Sequence, residues 1–99
     1  MGGGNGLMAE SSQKLNDLDT RLRNQILLLV EERGLGKTIC PSEVARATRP
    51  DDWRPLLKKV RQAAILLADE GQISIYRKGK PIPTDQVRGV IRLGLPAPQ

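Results

Sequence analysis

PSEVARATRPDDWRPLLKKVRQAAILLADEG, residues 41–71, decides the fold. Pro41 suits the first turn of a helix, where a missing N–H costs no hydrogen bond. Ser42 and Glu43 beside it favour initiation by capping and by charge against the helix dipole. The helix predicted here runs from Pro41 to about Thr48 and buries Val44 with Ala45 or Ala47. Arg49-Pro50 stops it, because the residue before a proline is pushed out of the helical region. Asp51 and Asp52 then stand where they would cap a third helix, with Pro55 in its first turn and Gly71 past its end. At 100° per residue, Trp53, Leu56, Leu57, Val60, Ala63, Ala64 and Leu67 gather on one side of that helix. Arg54, Lys58, Lys59, Arg61 and Gln62 take the rest of its N-terminal half. Ile65 and Leu66 lie off the stripe, which predicts that the C-terminal half is enclosed.

Before this stretch, Leu15, Leu18, Leu22, Ile26, Leu29 and Val30 recur at three- and four-residue steps and describe an amphipathic helix that Gly34 ends. Asn16, Asp17 and Asp19 each have a side chain able to cap it. Leu35 to Cys40 leaves room for a short extended piece. After Gly71, Gln72 to Tyr76 alternates polar and apolar as a half-buried strand does, and Val90 to Leu93 is a second strand. Arg77 to Gly89, with Gly79, Pro81, Pro83 and Gly89, reads as a long loop that projects. Helix, extended piece, short helix, longer helix and hairpin is the order of a winged helix-turn-helix. The expected class is mostly α with a small β-hairpin (α+β): three helices and a two- or three-stranded antiparallel wing. Residues 15–95 form the domain, with a disordered tail at 1–14 and another tail at 96–99.

Length and composition set the limits. The chain has 99 residues, two of them aromatic and none of them Phe, so one small aliphatic core is expected. The net charge is +5 and is uneven. Residues 1–50 hold seven Lys/Arg against six Asp/Glu, and residues 51–99 hold nine against five. The excess in the second half points to a polyanionic partner or an acidic protein surface rather than to a neutral small-molecule substrate. A single cysteine, Cys40, forms no internal disulfide and fits a reducing cytoplasm. With no His, zinc-ligand spacing is absent, and no cofactor is implied. No apolar run approaches the roughly 20 residues a bilayer requires, so no membrane association is expected.

Three basic features bear on function. The third helix occupies the recognition position and carries Arg54, Lys58, Lys59, Arg61 and Gln62 with no acid between Trp53 and Ala68. Arg and Lys pair with phosphate, Arg forks onto guanine, and Gln reads adenine. In the wing, Arg77, Lys78 and Lys80 fall within four positions around Gly79 and suit a sugar-phosphate backbone. Lys59, Arg46 and Lys37 are secondary contacts. Charged helix faces and basic loop tips also serve solubility alone. Gly36-Lys37-Thr38 has the ending of a phosphate-binding loop, but Glu31 stands where that loop needs glycine and a helix precedes it. Cys40 reads as a small buried residue, and Trp53 as a core or hinge residue.

The runs Gly36 to Arg46, Asp51-Asp52-Trp53-Arg54-Pro55-Leu56 and Gly89-Val90-Ile91-Arg92-Leu93 resemble a small bacterial family known as a domain of unknown function. The resemblance covers about residues 22–93. It implies a winged-helix-like fold and carries no assigned activity, partner or site. Where that family's pattern has Gly-Pro before the last strand, this chain has Gly89-Val90.

Two functional readings follow. One is a non-enzymatic double-stranded DNA-binding module, of the kind a transcription regulator uses. The other is a protein-interaction or homodimerisation module, for which Leu18, Leu27, Leu28, Ile65 and Leu66 exceed what one apolar stripe per helix requires. No paired carboxylates, His or activated nucleophile converge, so no enzyme is expected.

Overall fold

The computed structural model describes residues 17–96 with their side chains and the backbone of the first helix from Gly2. The expected N-terminal tail, 1–14, falls from Gly2 onward in the part of that helix described by backbone alone, and the last three residues of the C-terminal tail, 97–99, lie outside the described residues.

Helix α1 (Gly2–Arg33) presents Leu22, Ile26 and Val30 to the core at four-residue steps, all buried, with Leu18, Leu27 and Leu29 packed at its margin. A two-residue strand β1 (Thr38–Ile39) leads into α2 (Pro41–Thr48), whose boundaries are those the sequence predicts. Val44 and Ala45 are the buried pair, and Ala47 faces out. The start of α2 is locked from three sides. Glu43 Oε2 accepts a hydrogen bond from the Cys40 amide at 2.9 Å, the returning half of a capping box. Arg33 donates to Glu43 Oε1 at 2.6 Å and to the Thr38 carbonyl at 2.9 Å. Arg92 grips the same Thr38 through its hydroxyl at 2.6 Å and its carbonyl at 3.1 Å.

The third helix starts later than expected. Asp51 and Asp52 do not cap it; they stand exposed in a turn, and a 3₁₀ segment, Arg54–Leu56, precedes α3 (Leu57–Asp69). Pro55 is the reason, since a residue without an N–H fits the tight first turn. Leu56, Val60, Ala63, Ala64 and Leu67 form the buried stripe, as the periodicity requires. The C-terminal half of α3 is not enclosed, however, because Leu66 is 55% exposed. Successive positions turn by about 100°, which puts Leu66 roughly 240° round from Val60, on a flank that neither α1 nor the sheet reaches. The helix closes with paired bonds from Gln72 N–H to the Leu67 carbonyl and from Gly71 N–H to the Ala68 carbonyl, at 2.9 and 3.0 Å. That closure requires a left-handed residue at Gly71, where φ is 79°.

The largest departure from expectation lies between 77 and 91. In place of one projecting loop, β2 (Ser74–Arg77) and β3 (Lys80–Ile82) form a tight hairpin around Lys78-Gly79. A 3₁₀ turn, Thr84–Gln86, follows, and the chain then returns to β4 (Arg92–Gly94). The hairpin was hidden because Lys-Gly is not a strong turn pair and Pro81 argues against a strand. Pro81 is tolerated because β3 is the edge strand and the Tyr76–Pro81 pair follows the pair that flanks the turn. Antiparallel alternation therefore turns the proline nitrogen outward. The second strand begins two residues after the expected Val90, and Val90 itself is 85% exposed.

The four strands are antiparallel in the order β1-β4-β2-β3, so the last strand in sequence is a central one. Ile39, Ile75 and Leu93 lie side by side on the inner face, all buried against the helices. On the outer face the Tyr76 ring crosses Gly94, and its hydroxyl donates to the Leu95 carbonyl at 3.0 Å. A Cβ at Gly94 would stand 3.0 Å from the Lys37 carbonyl oxygen and 3.1 Å from Tyr76 Cε1. Gly94→Val should therefore cost about 1–3 kcal/mol in urea unfolding, as overpacking does.

Glu43 is held below the ordinary carboxylate range, first by the Cys40 amide and then by Arg33, with burial opposing both. Glu70 is likewise lowered, first by its hydrogen bond from Arg23. A carboxylate whose folded pKa is depressed contributes stability above its unfolded value and loses it as pH falls through the folded one. The urea midpoint should therefore drop as the pH falls below the ordinary Glu value of about 4.3. Glu43→Ala should cost about 1 kcal/mol at neutral pH and flatten that decline.

Candidate functional site

Core packing of α3 sorts its polar residues by flank. Lys58 and Gln62 are one turn apart, lie opposite the buried stripe, and are exposed. Arg61 is half-buried and turns toward the segment that returns to β4, where it donates to the Gly89 carbonyl at 2.9 Å. Arg54, on the preceding 3₁₀ turn, is exposed. Lys59 is separated from the others, since it lies about 200° round the axis from Arg61 and shares its flank with Leu66.

The hairpin carries its charge under strain. Arg77 and Lys80 are direct cross-strand partners, and like charges so placed repel. Between them Lys78 has φ 53° and Gly79 φ 81°, both left-handed, as a two-residue turn between twisted strands requires. Glycine adopts that backbone freely; lysine does so at a cost. A lysine at the first of these positions, beside two further cations, works against stability.

Helix and hairpin meet at one loop. Arg61 holds the Gly89 carbonyl from α3, and Arg77 holds the neighbouring Arg88 carbonyl from β2 at 3.4 Å. Arg61, Arg77 and Arg88 thus border one segment, with Lys58 beside it. Arg88 escaped the sequence reading because its place beside Arg61 and Arg77 depends on the return to β4. Its only local signal was a cation next to Gly89. Both ion pairs among the described residues, Arg23–Glu70 and Arg33–Glu43, draw their cations from α1.

The other predicted residues frame this face. The Arg46 and Arg54 guanidinium groups lie 4.5 and 5.3 Å from the Trp53 ring centre, so the half-buried indole holds two cations at the start of α3. Lys37 lies away from α3 but beside the hairpin, with Gly36, Thr38, Tyr76 and Gly79 around a recess of ≈ 290 Å³. Cys40 is not the buried residue expected. It is half-exposed, receives a hydrogen bond from the Ser42 hydroxyl at 3.2 Å, and lines a cleft between α2, α3 and the 89–91 segment. Of the apolar residues in excess of one stripe per helix, Leu18, Leu27 and Ile65 pack against the core, which leaves Leu28 and Leu66 exposed. Among the described residues no three His, Cys, Asp or Glu side chains group to hold a metal ion, and no helix is long and apolar enough to cross a membrane.

Three helices and a small antiparallel sheet define an α+β domain of winged-helix-like arrangement. The chain belongs to the family described as "Protein of unknown function (DUF3253)", whose pattern matches residues 19–96. No curated protein matches it.

If Lys78 is retained against the needs of the turn, Lys78→Asn should stabilise the domain by about 0.5–1 kcal/mol, because Asn accepts the left-handed backbone and one repelling cation is removed. Thermal unfolding reads this as a rise of several degrees, at about 4–8 °C per kcal/mol for a domain this small.

Proposed function

We propose that this chain is a non-enzymatic double-stranded DNA-binding module, acting in the cytoplasm as part of transcription control. The observation that carries this reading is the shared loop. Arg61 and Arg77 hold adjacent carbonyls, so the exposed face of α3 and the basic hairpin border one surface. Lys58 and Gln62, outermost on α3, enter the major groove with Arg54 and Arg61 beside them. Arg77, Lys78 and Lys80 hold the flanking phosphates with Arg88 at the junction, and Arg46 reaches phosphate from its stack on Trp53. Lys59, off this surface, contributes through long-range attraction, and Lys37, beside the hairpin turn, adds a further phosphate contact. The strained, self-repelling hairpin supports the same reading, since a phosphate backbone relieves the repulsion that destabilises the free domain.

The test is fluorescence anisotropy with a labelled duplex of arbitrary sequence across a salt series. Engagement of about five phosphates gives a slope of log K against log salt near −4 to −5. Lys58→Ala with Lys78→Ala should reduce that slope by about 2. Absence of binding at about 50 mM salt, or a slope the double variant leaves unchanged, overturns the proposal.

A further inference from the structure

A second feature adjoins the basic face and shares Lys58 and Arg61 with it. Pro41, Leu57, Val90 and Ile91, with Cys40, line a cleft of ≈ 380 Å³ where the start of α2, the first turn of α3 and the irregular segment leading into β4 converge. That volume falls at the lower end of the range for small-molecule sites, about 300–1,000 Å³. Its wall contains the most exposed large apolar side chain among the described residues, Val90, at 85%. Two of the lining residues are charged, Lys58 and Arg61, and both are cations; no carboxylate lines the cleft. Arg61 is held in place there by its bond to the Gly89 carbonyl, with further N–H groups on the same guanidinium.

We infer that this cleft binds a small apolar carboxylate, with its hydrocarbon body against Leu57, Val90 and Ile91 and its acid group on Lys58 and Arg61. A neutral ligand of the same shape would leave two cations beside apolar surface without a counter-charge, and a cationic one would be repelled. A carboxylate satisfies both demands of the wall, since Arg61 offers a forked donor and Lys58 a point charge. Such an acid neutralises two of the cations that the DNA reading assigns to α3, so acid and phosphate exclude one another at Lys58.

The test needs no DNA and therefore stands or falls apart from the function proposed above. Naphthoate and its neutral isostere naphthamide are titrated separately into the whole chain while backbone amide NMR shifts are followed. Naphthoate should give saturable shifts concentrated at Cys40, Leu57, Lys58, Val90 and Ile91, and naphthamide should bind at least about tenfold more weakly. Lys58→Met with Arg61→Met should abolish the preference for the acid while retaining the weaker binding of the amide, and Val90→Glu should remove both. Cys40, the single thiol, should react more slowly with iodoacetamide when naphthoate is bound. The inference is overturned if naphthoate gives no saturable shift at these amides up to about 5 mM, or if acid and amide bind wild type equally. Both outcomes are read on the unmodified chain, so they hold even where a variant fails to fold.

Discussion

The fold depends on one insertion. Strand β4, the last in sequence, lies between β1 and β2, with Leu93 beside Ile39 on one side and Ile75 on the other. None of those three residues is more than 1% exposed, so the core closes only when the C-terminal segment threads back to the middle of the sheet. The hairpin leaves the chain at the outer edge, on β3, and β4 cannot begin until the chain has recrossed the end of β2. The 83–91 segment is that crossing. Thr84 anchors it to Asp69 near the end of α3 at 2.6 Å, and the Arg61 and Arg77 bonds fix its far part. The basic face and the apolar cleft both exist because of this path.

Electrostatic pairing divides the molecule in the same way. Two acids of the helical layer, Glu43 and Glu70, are taken up by Arg33 and Arg23 of α1, where they lock the start of α2 and the end of α3. Glu43 serves stability, because it caps Cys40 as well as accepting from Arg33. The cations of the hairpin and of the approach to α3 have a different economy. At the hairpin they face one another, and at the start of α3 Arg46 and Arg54 rest on the Trp53 ring rather than on a carboxylate. Stacking on an indole positions a guanidinium without neutralising it. Positive charge is therefore held in place at the points where the surface is open.

Local chemistry was legible where a residue type leaves little choice. Pro41 and Arg49-Pro50 bound α2, Gly71 ends α3, and the stripe from Leu56 to Leu67 is the buried one. The hairpin was obscured because its turn is Lys78-Gly79 and its second strand contains Pro81, both of which become acceptable only once β3 is known to be an edge. The apolar pattern alone puts Leu66 at an enclosed end. The partners of α3 cover one side of it, and a sheet of strands two to four residues long has no reach round the other.

Sequence by itself determined the helices, the apolar stripes and the uneven charge, because these follow from properties of residues near one another along the chain. That Lys58 and Gln62 would face outward was also settled there, since helical geometry separates them from the stripe regardless of what the stripe packs against. Tertiary structure alone decided that β4 is central, that Arg88 belongs beside Arg61 and Arg77, and that Cys40 and Val90 share a cleft. Those relations join positions tens of residues apart. They arise from burying Leu93 between two strands, and no local preference of the residues involved encodes that pairing.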